Sequence, residues 1–247
     1  FKYFLFNVAG AGFLFLGIGL IVAYTGTGEF AGVAKGFASL SPAVGTSIMI
    51  LMAVGFCMKA AQVSLRIDWQ MHPALAPTPV SGYISSVLLK IAVFGLVKLF
   101  LVFGSVYAQS PDTAGLFSQQ AVMYATAWIG AFTLLYSAVQ AMLQNSLKLV
   151  FIWSTVSQIG YMVLGVAVGT SLGMAGGLLH MANHVFFKDL LFLVCGAVMF
   201  ATHRETLEDL GGIGRHMPFT LAMFAIAGLS VVGVPPTSGF SSKWLIY

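Results

Sequence analysis

Residues 172–200 read LGMAGGLLHMANHVFFKDLLFLVCGAVMF, an apolar run with His180, His184, Lys188 and Asp189 set into it. A helix needs about 20 mostly apolar residues to cross a bilayer, and this run is long enough. Any fold that holds it must also shelter its charges. Titratable groups at bilayer depth are expensive, and they face a protein interior or a water-filled path. His180, His184 and Lys188 recur at every fourth position. On an α-helix they share one broad side, with a rise of roughly 6 Å between neighbours. They are read as a functional group rather than as polar packing residues of a bundle, because ionisable residues inside a membrane mark proton or ion paths.

The rest of the chain is built alike. It is 59% hydrophobic and only 7% charged, where soluble domains carry about 25% charged residues. The implied class is an all-α polytopic membrane protein. Whole segments are apolar, which argues against a barrel, whose strands alternate polar and apolar residues. The formal charge of +4 comes from scattered basic residues, several of them inside apolar segments, so nucleic acid is not an expected partner. Cys57 and Cys195 both fall in apolar segments, and no disulfide or metal motif is readable. No dinucleotide-binding glycine motif after a strand and no haem pair is recognisable, so no cofactor is expected and redox chemistry would belong to partners. No signal peptide is visible. The chain begins at Phe1 and stops at Tyr247 beside an apolar run. The expectation is one transmembrane domain over 1–247, a fragment of a longer subunit with further helices at both ends.

Seven spans are expected, at 4–24, 43–65, 80–106, 120–143, 148–168, 172–200 and 218–247. The stretches 25–42, 66–79, 107–119 and 201–217 read as loops. One set of loops and helix ends holds Lys2, Arg66, Lys148, Arg204 and Arg215, and the other holds Lys35, with Lys98 close to it. The positive-inside rule places the first set in the cytoplasm. Ser154, Thr155, Ser157 and Gln158 are polar residues suited to hydrogen bonds between helices.

Three more lysines lie in apolar surroundings. Lys59 occurs in VGFCMKAAQVSL, deep in the second expected span, and Lys90 in SSVLLKIAVFGL, ten residues into the third. Lys98 is nearer a helix end and is expected to snorkel. An ammonium in a low-dielectric interior has its charged form disfavoured, so it can release and regain a proton. Arginine could not serve in this way, and all three arginines fall in loops. The last expected span carries GVPPTSGF at 233–240, with Lys243 soon after it. Pro235 and Pro236 remove two backbone donors, and Gly233 and Gly239 flank them. A helix broken at bilayer depth is tolerated only inside protein or beside a water-filled cavity, and such breaks mark ion sites in transporters.

The segments KAAQVSLRIDWQMHPALAPTPVSGYISSVLLKIAVFGL, LKLVFIWSTVSQIGYMVLG, HMANHVFFKDLLFL and GVPPTSGFSSKW resemble, in this order, the antiporter-like membrane subunits. Those occur in respiratory complex I, in membrane-bound hydrogenases and formate hydrogenlyases, and in Mrp-type sodium/proton antiporters. The resemblance implies two inverted helical repeats, each with a discontinuous helix, and a line of lysines and histidines across the membrane centre. By position, Lys59 resembles the lysine that pairs with a glutamate, whose helix would lie upstream of Phe1. Lys90 resembles the lysine on the helix after the PTPVS turn in some members. Lys188 resembles the central relay lysine, with His180 and His184 as its partners, and Lys243 the distal charged residue on the second broken helix. Asp189 stands where a small residue is common; paired with a lysine, it would hold that lysine charged.

What the resemblance implies is proton translocation in a multi-subunit energy-converting complex. Its partners would be other membrane subunits, a peripheral redox module and the lipid bilayer, and its place a prokaryotic cytoplasmic membrane. The hydrogenase, formate hydrogenlyase and Mrp branches are closer in pattern than the terminal complex I subunit. Two other functions compete. One is a sodium/proton antiporter subunit, for which Asp189, Ser154, Thr155 and Ser157 offer oxygen ligands. The other is a passive scaffold that anchors a redox module.

Overall fold

The computed structural model describes residues 2–65, 76–107 and 119–247. Among them every regular element is helical: α1 (Lys2–Thr25), α2 (Phe30–Ala38), α3 (Pro42–Lys59), α4 (Thr78–Tyr83), a π turn (Ile84–Leu88), α5 (Leu89–Tyr107), α6 (Gln119–Met142), α7 (Leu147–Ala167), α8 (Ser171–Thr202), α9 (Pro218–Val232) and α10 (Ser238–Ile246). Two short 3-10 turns, Glu208–Leu210 and Ile213–Arg215, precede α9. By length and composition six helices of the described residues can cross a membrane, with α4, the π turn and α5 acting as one.

Local chemistry sets many of these boundaries. Pro42 and Pro218 stand at the first turn of α3 and α9, where a missing N–H costs nothing. Thr170 caps α8 by accepting from the Gly173 N–H at 3.0 Å. α8 has 32 residues, or ~48 Å at the helical rise, so its ends pass beyond the hydrocarbon layer.

α7 is the most enclosed span and α1 the least. α7 lies tightly on α6 because Gly130 and Gly160 face each other. A Cβ on Gly130 would stand 2.9 Å from the Leu164 nitrogen, and one on Gly160 would stand 2.7 Å from the Gly130 carbonyl oxygen. Small residues permit this backbone approach in a membrane bundle. α8 touches α4, the π turn, α7, α9 and α10.

The connections 143–146 and 203–217 lie together on one side. Leu147 donates its N–H to the Glu205 carbonyl at 3.1 Å, Leu207 donates to Asn145 at 2.8 Å, and Ser146 pairs with Thr206. Lys148 donates to the Ala76 carbonyl, which brings the entry to α4 to the same side. This agrees with the grouping of Lys148, Arg204 and Arg215 by loop charge. Arg66 and the rest of 66–75 lie outside the described residues, as does 108–118.

Three expectations are corrected. The stretch 25–42 contains α2, whose Val33 and Phe37 are one turn apart and buried against Ile21, Ile48 and Leu96. The second span ends at Lys59 rather than Leu65, because Ala61 adopts φ 56° and turns the chain. The interruption of the seventh is shorter than 233–239: α9 has 15 residues and stops at Gly233, whose φ is 86°, and α10 begins at Ser238. The interruption is therefore 233–237. It contains Pro235 and Pro236, joined by a cis peptide bond, while Gly239 belongs to the first turn of α10.

Candidate functional site

His180, His184 and Lys188 occupy one side of α8, and all three side chains are fully buried. The side is enclosed by α7, α10 and the α4–α5 segment. Each of these brings a polar partner to the row.

Lys188 points at α7. Its Nζ donates to the Ser154 hydroxyl at 2.5 Å and to the Phe151 carbonyl at 3.0 Å. The ammonium also lies 5.6 Å from the centre of the Phe151 ring, within range of a cation–π contact. His180 is held from two elements. Its Nε2 is 3.0 Å from Gln158 Oε1 on α7, and its Nδ1 is 2.9 Å from Ser242 Oγ on α10. His184 lies between these two residues. Its ring packs 6.2 Å from His180 and 5.1 Å from Phe187, centre to centre. Neither ring nitrogen of His184 has a hydrogen-bond partner among the described residues.

Lys90 enters from the α4–α5 segment, where the π turn immediately precedes α5. Its ammonium is buried and donates to the Ser85 carbonyl. The Ser85 hydroxyl is 2.6 Å from Thr155 Oγ1, which ties the π turn to α7. Such local widening of a helix is frequent at functional sites. Lys243 enters from α10 and reaches back across the break. It donates to the Val231 and Val232 carbonyls at 2.6 and 3.3 Å and lies 4.9 Å from the Tyr161 ring centre. A lysine at the C-terminal end of a helix complements both its unpaired carbonyls and its dipole.

Lys59 is placed differently. It is the last residue of α3, only half-buried, and donates to Asn7 Oδ1 on α1 at 3.4 Å. Asp189 accepts from the Ser86 hydroxyl of the π turn at 3.0 Å. Lys98 is exposed at the middle of α5 rather than near a helix end, with its ammonium 5.9 and 5.4 Å from the Phe30 and Phe94 ring centres. The structure thus gathers Lys90, His180, His184, Lys188 and Lys243 around one helix side.

Some contributors are faint in the sequence. Gln158 and Ser154 are legible only as interhelical hydrogen-bonding residues. Ser242 carries no signal beyond its place beside Lys243 after the double proline. Ser85 and Ser86 are polar interruptions whose partners lie on distant helices.

The row of imidazoles and ammoniums thus lies buried between a widened helix and a broken one in an all-helical bundle of membrane-spanning character. Comparison with known proteins gives its family. The family model described as NADH:quinone oxidoreductase/Mrp antiporter, TM, matches residues 1–247. NADH-quinone oxidoreductase subunit L of Mycobacterium tuberculosis is 39% identical over 243 residues, covering 98% of this chain and 36% of the relative. Hydrogenase-4 component B of Escherichia coli is 31% identical over 255 residues, covering 98% of this chain and 36% of the relative. A chain in the structure of the membrane-bound sulfane sulfur reductase, an archaeal respiratory membrane complex, superposes with a TM-score of 0.89 at 25% identity, covering 99% of this chain and 48% of that one. The chain belongs to the NADH:quinone oxidoreductase/Mrp antiporter transmembrane family and is an integral membrane protein. It spans less than half the length of these relatives.

Proposed function

We propose that this chain conducts protons as part of an antiporter-like subunit in a multi-subunit energy-converting complex. Its neighbours are other membrane subunits and a peripheral redox module, in a prokaryotic cytoplasmic membrane. Residues 1–247 act as one transmembrane domain. The observation that carries this reading is the fully buried row His180–His184–Lys188, with the buried ammoniums of Lys90 and Lys243 on the elements that pack against it. Histidine exchanges protons near neutral pH. A sheltered lysine can give up its proton when a neighbouring charge arrives. Lys59 serves at the α1 side, where its ammonium meets Asn7. Asp189 acts as a modulator through its hydrogen bond to Ser86 of the π turn that precedes Lys90. Ordered waters bridge the steps that exceed a single hydrogen bond.

Lys188 is the residue to test. Lys188→Met keeps approximate length and removes the exchangeable proton. In the intact complex, reconstituted into vesicles in sodium-free medium, proton transport falls by roughly 10²-fold, the scale of a positioned acid–base group. Lys188→Arg keeps the charge but cannot release a proton, and it fails similarly. Normal assembly with unchanged transport in the Met variant would remove Lys188 from the relay. A requirement for sodium in the unmodified complex would favour the antiporter function.

A further inference from the structure

Ser242 is fully buried in the first turns of α10, and its hydroxyl stands between two acceptors. Oγ is 2.9 Å from His180 Nδ1 and 3.1 Å from the Gly239 carbonyl. A hydroxyl carries one hydrogen, so it donates to only one of them at a time. The other ring nitrogen decides which. Nε2 faces Gln158 Oε1 at 3.0 Å. An amide oxygen accepts and does not donate, so the neutral ring carries its hydrogen on Nε2 and leaves the Nδ1 lone pair toward Ser242. In that state the Ser242 hydroxyl donates to Nδ1. When Nδ1 gains a proton, the imidazolium donates to Ser242 Oγ, and the hydroxyl hydrogen turns to the Gly239 carbonyl. Nε2 stays on Gln158 in both states.

The Gly239 end of this switch lies at the break. Gly239 packs its backbone against the Ser230 carbonyl of α9, where any Cβ would overlap that oxygen. The residue after Ser242 is Lys243, which holds the Val231 and Val232 carbonyls at the cut end of α9. The turn that senses His180 is thus the turn that seats α10 on α9. We propose that Ser242 is a positioning residue that reports the protonation of His180 Nδ1 to the break between α9 and α10, with Gln158 making Nδ1 the exchanging nitrogen. This role rests on the proton-relay reading only for its use in transport; the hydrogen-bond switch itself does not require it.

The groups that face His180 are Lys243 from α10, Lys90 from α5, Tyr161 from α7 and His184 one turn along α8. They stay unchanged in the test, which is a double-mutant cycle between Ser242 and His180 in the intact complex. The readout is the maleimide-labelling rate of Val234→Cys, a partly exposed position inside the break, over the background of the same complex without it. With Ser242 present, His180→Gln changes that rate by roughly tenfold, the worth of one charge-assisted hydrogen bond. With Ser242→Ala the same His180 change has no effect, and Ser242→Thr restores the response. Gln158→Leu, which frees the other nitrogen, weakens the response as well and serves if Ser242→Ala does not assemble. A response to His180→Gln that persists undiminished in Ser242→Ala, or in Gln158→Leu if only that variant assembles, overturns the proposal. So does a Ser242→Thr that behaves like Ala. Labelling does not depend on transport. Failure of the cycle while Lys188→Met still blocks transport rejects only the Ser242 role. A cycle that holds while Lys188→Met transports normally rejects only the relay.

Discussion

Two helices end inside the protein on residues with positive φ, α3 at Ala61 and α9 at Gly233, with φ 56° and 86°. The first end is closed by the backbone. Ala60, Ala61 and Gln62 donate their N–H groups to Phe56, Met58 and Cys57 at 2.7, 3.3 and 3.0 Å. The next N–H, of Val63, takes the Thr133 hydroxyl at 3.2 Å. Lys59, the last residue of that helix, turns its ammonium toward Asn7 of α1. At the second end, Gly233 and Val234 both donate to Leu229, and the carbonyls of Val231 and Val232 are taken by the side chain of Lys243 from the following helix. One break is closed by groups that cannot titrate and the other by an ammonium that can. A proton lost from Lys243 would leave the second end less well capped.

The sharpest way to break this comparison is at Gly239. A Cβ there falls on the Ser230 carbonyl of α9, which is backbone and cannot move aside. Gly239→Val unseats α10, with a loss on the order of 4 kcal/mol, among the largest for single substitutions. Denaturant unfolding of the detergent-solubilised complex measures it, and wild-type stability would mean that α10 is not seated there.

A smaller effect separates the two lysines. Lys243→Met uncovers two helix-end carbonyls and destabilises by about 2 kcal/mol, as expected for hydrogen bonds from a charged donor. Lys59→Met removes a longer, half-exposed contact and costs about 1 kcal/mol. Thermal unfolding of the two variants side by side checks the order, and equal costs would erase the distinction drawn between the two ends.

The smallest effects have opposite signs. Ala61 pays the left-handed penalty that Gly233 avoids. Ala61→Gly is expected to stabilise and Gly233→Ala to destabilise, each by about 1 kcal/mol. The same unfolding measurement reads both, and a destabilising Ala61→Gly would show that the Ala61 methyl, buried beside Trp153 and Val156, outweighs its backbone strain.

Of the two breaks, only the second is legible in the chain. Gly233, Pro235 and Pro236 announce it because proline and glycine act through their own backbones. Ala61 announces nothing, since alanine favours helices everywhere else, and the second span reads as running on to Leu65. The same division holds for the site. The spacing of His180, His184 and Lys188 needs only the pitch of one helix, and so does the conclusion that their side must be sheltered. α2 escapes notice because nine residues between two spans are too few for composition to reveal.

The apolar character of the long helices, the shared side of the histidine–lysine row and the place of the double proline are properties of neighbouring residues, so the sequence alone determines them. The tertiary structure decides what that row meets. Lys90 turns to the Ser85 carbonyl and Lys243 to the cut end of α9, Asp189 rests on Ser86, and Gln158 and Ser242 clamp His180 from two helices. The contacts of Asp189 and His180 join residues that lie 22 to 103 positions apart. Helical periodicity orders a side chain relative to its own axis. The partner across the bundle is chosen by how the axes pack, at close approaches such as Gly130 on Gly160 and Gly239 on Ser230, and that choice appears only once the whole chain is folded.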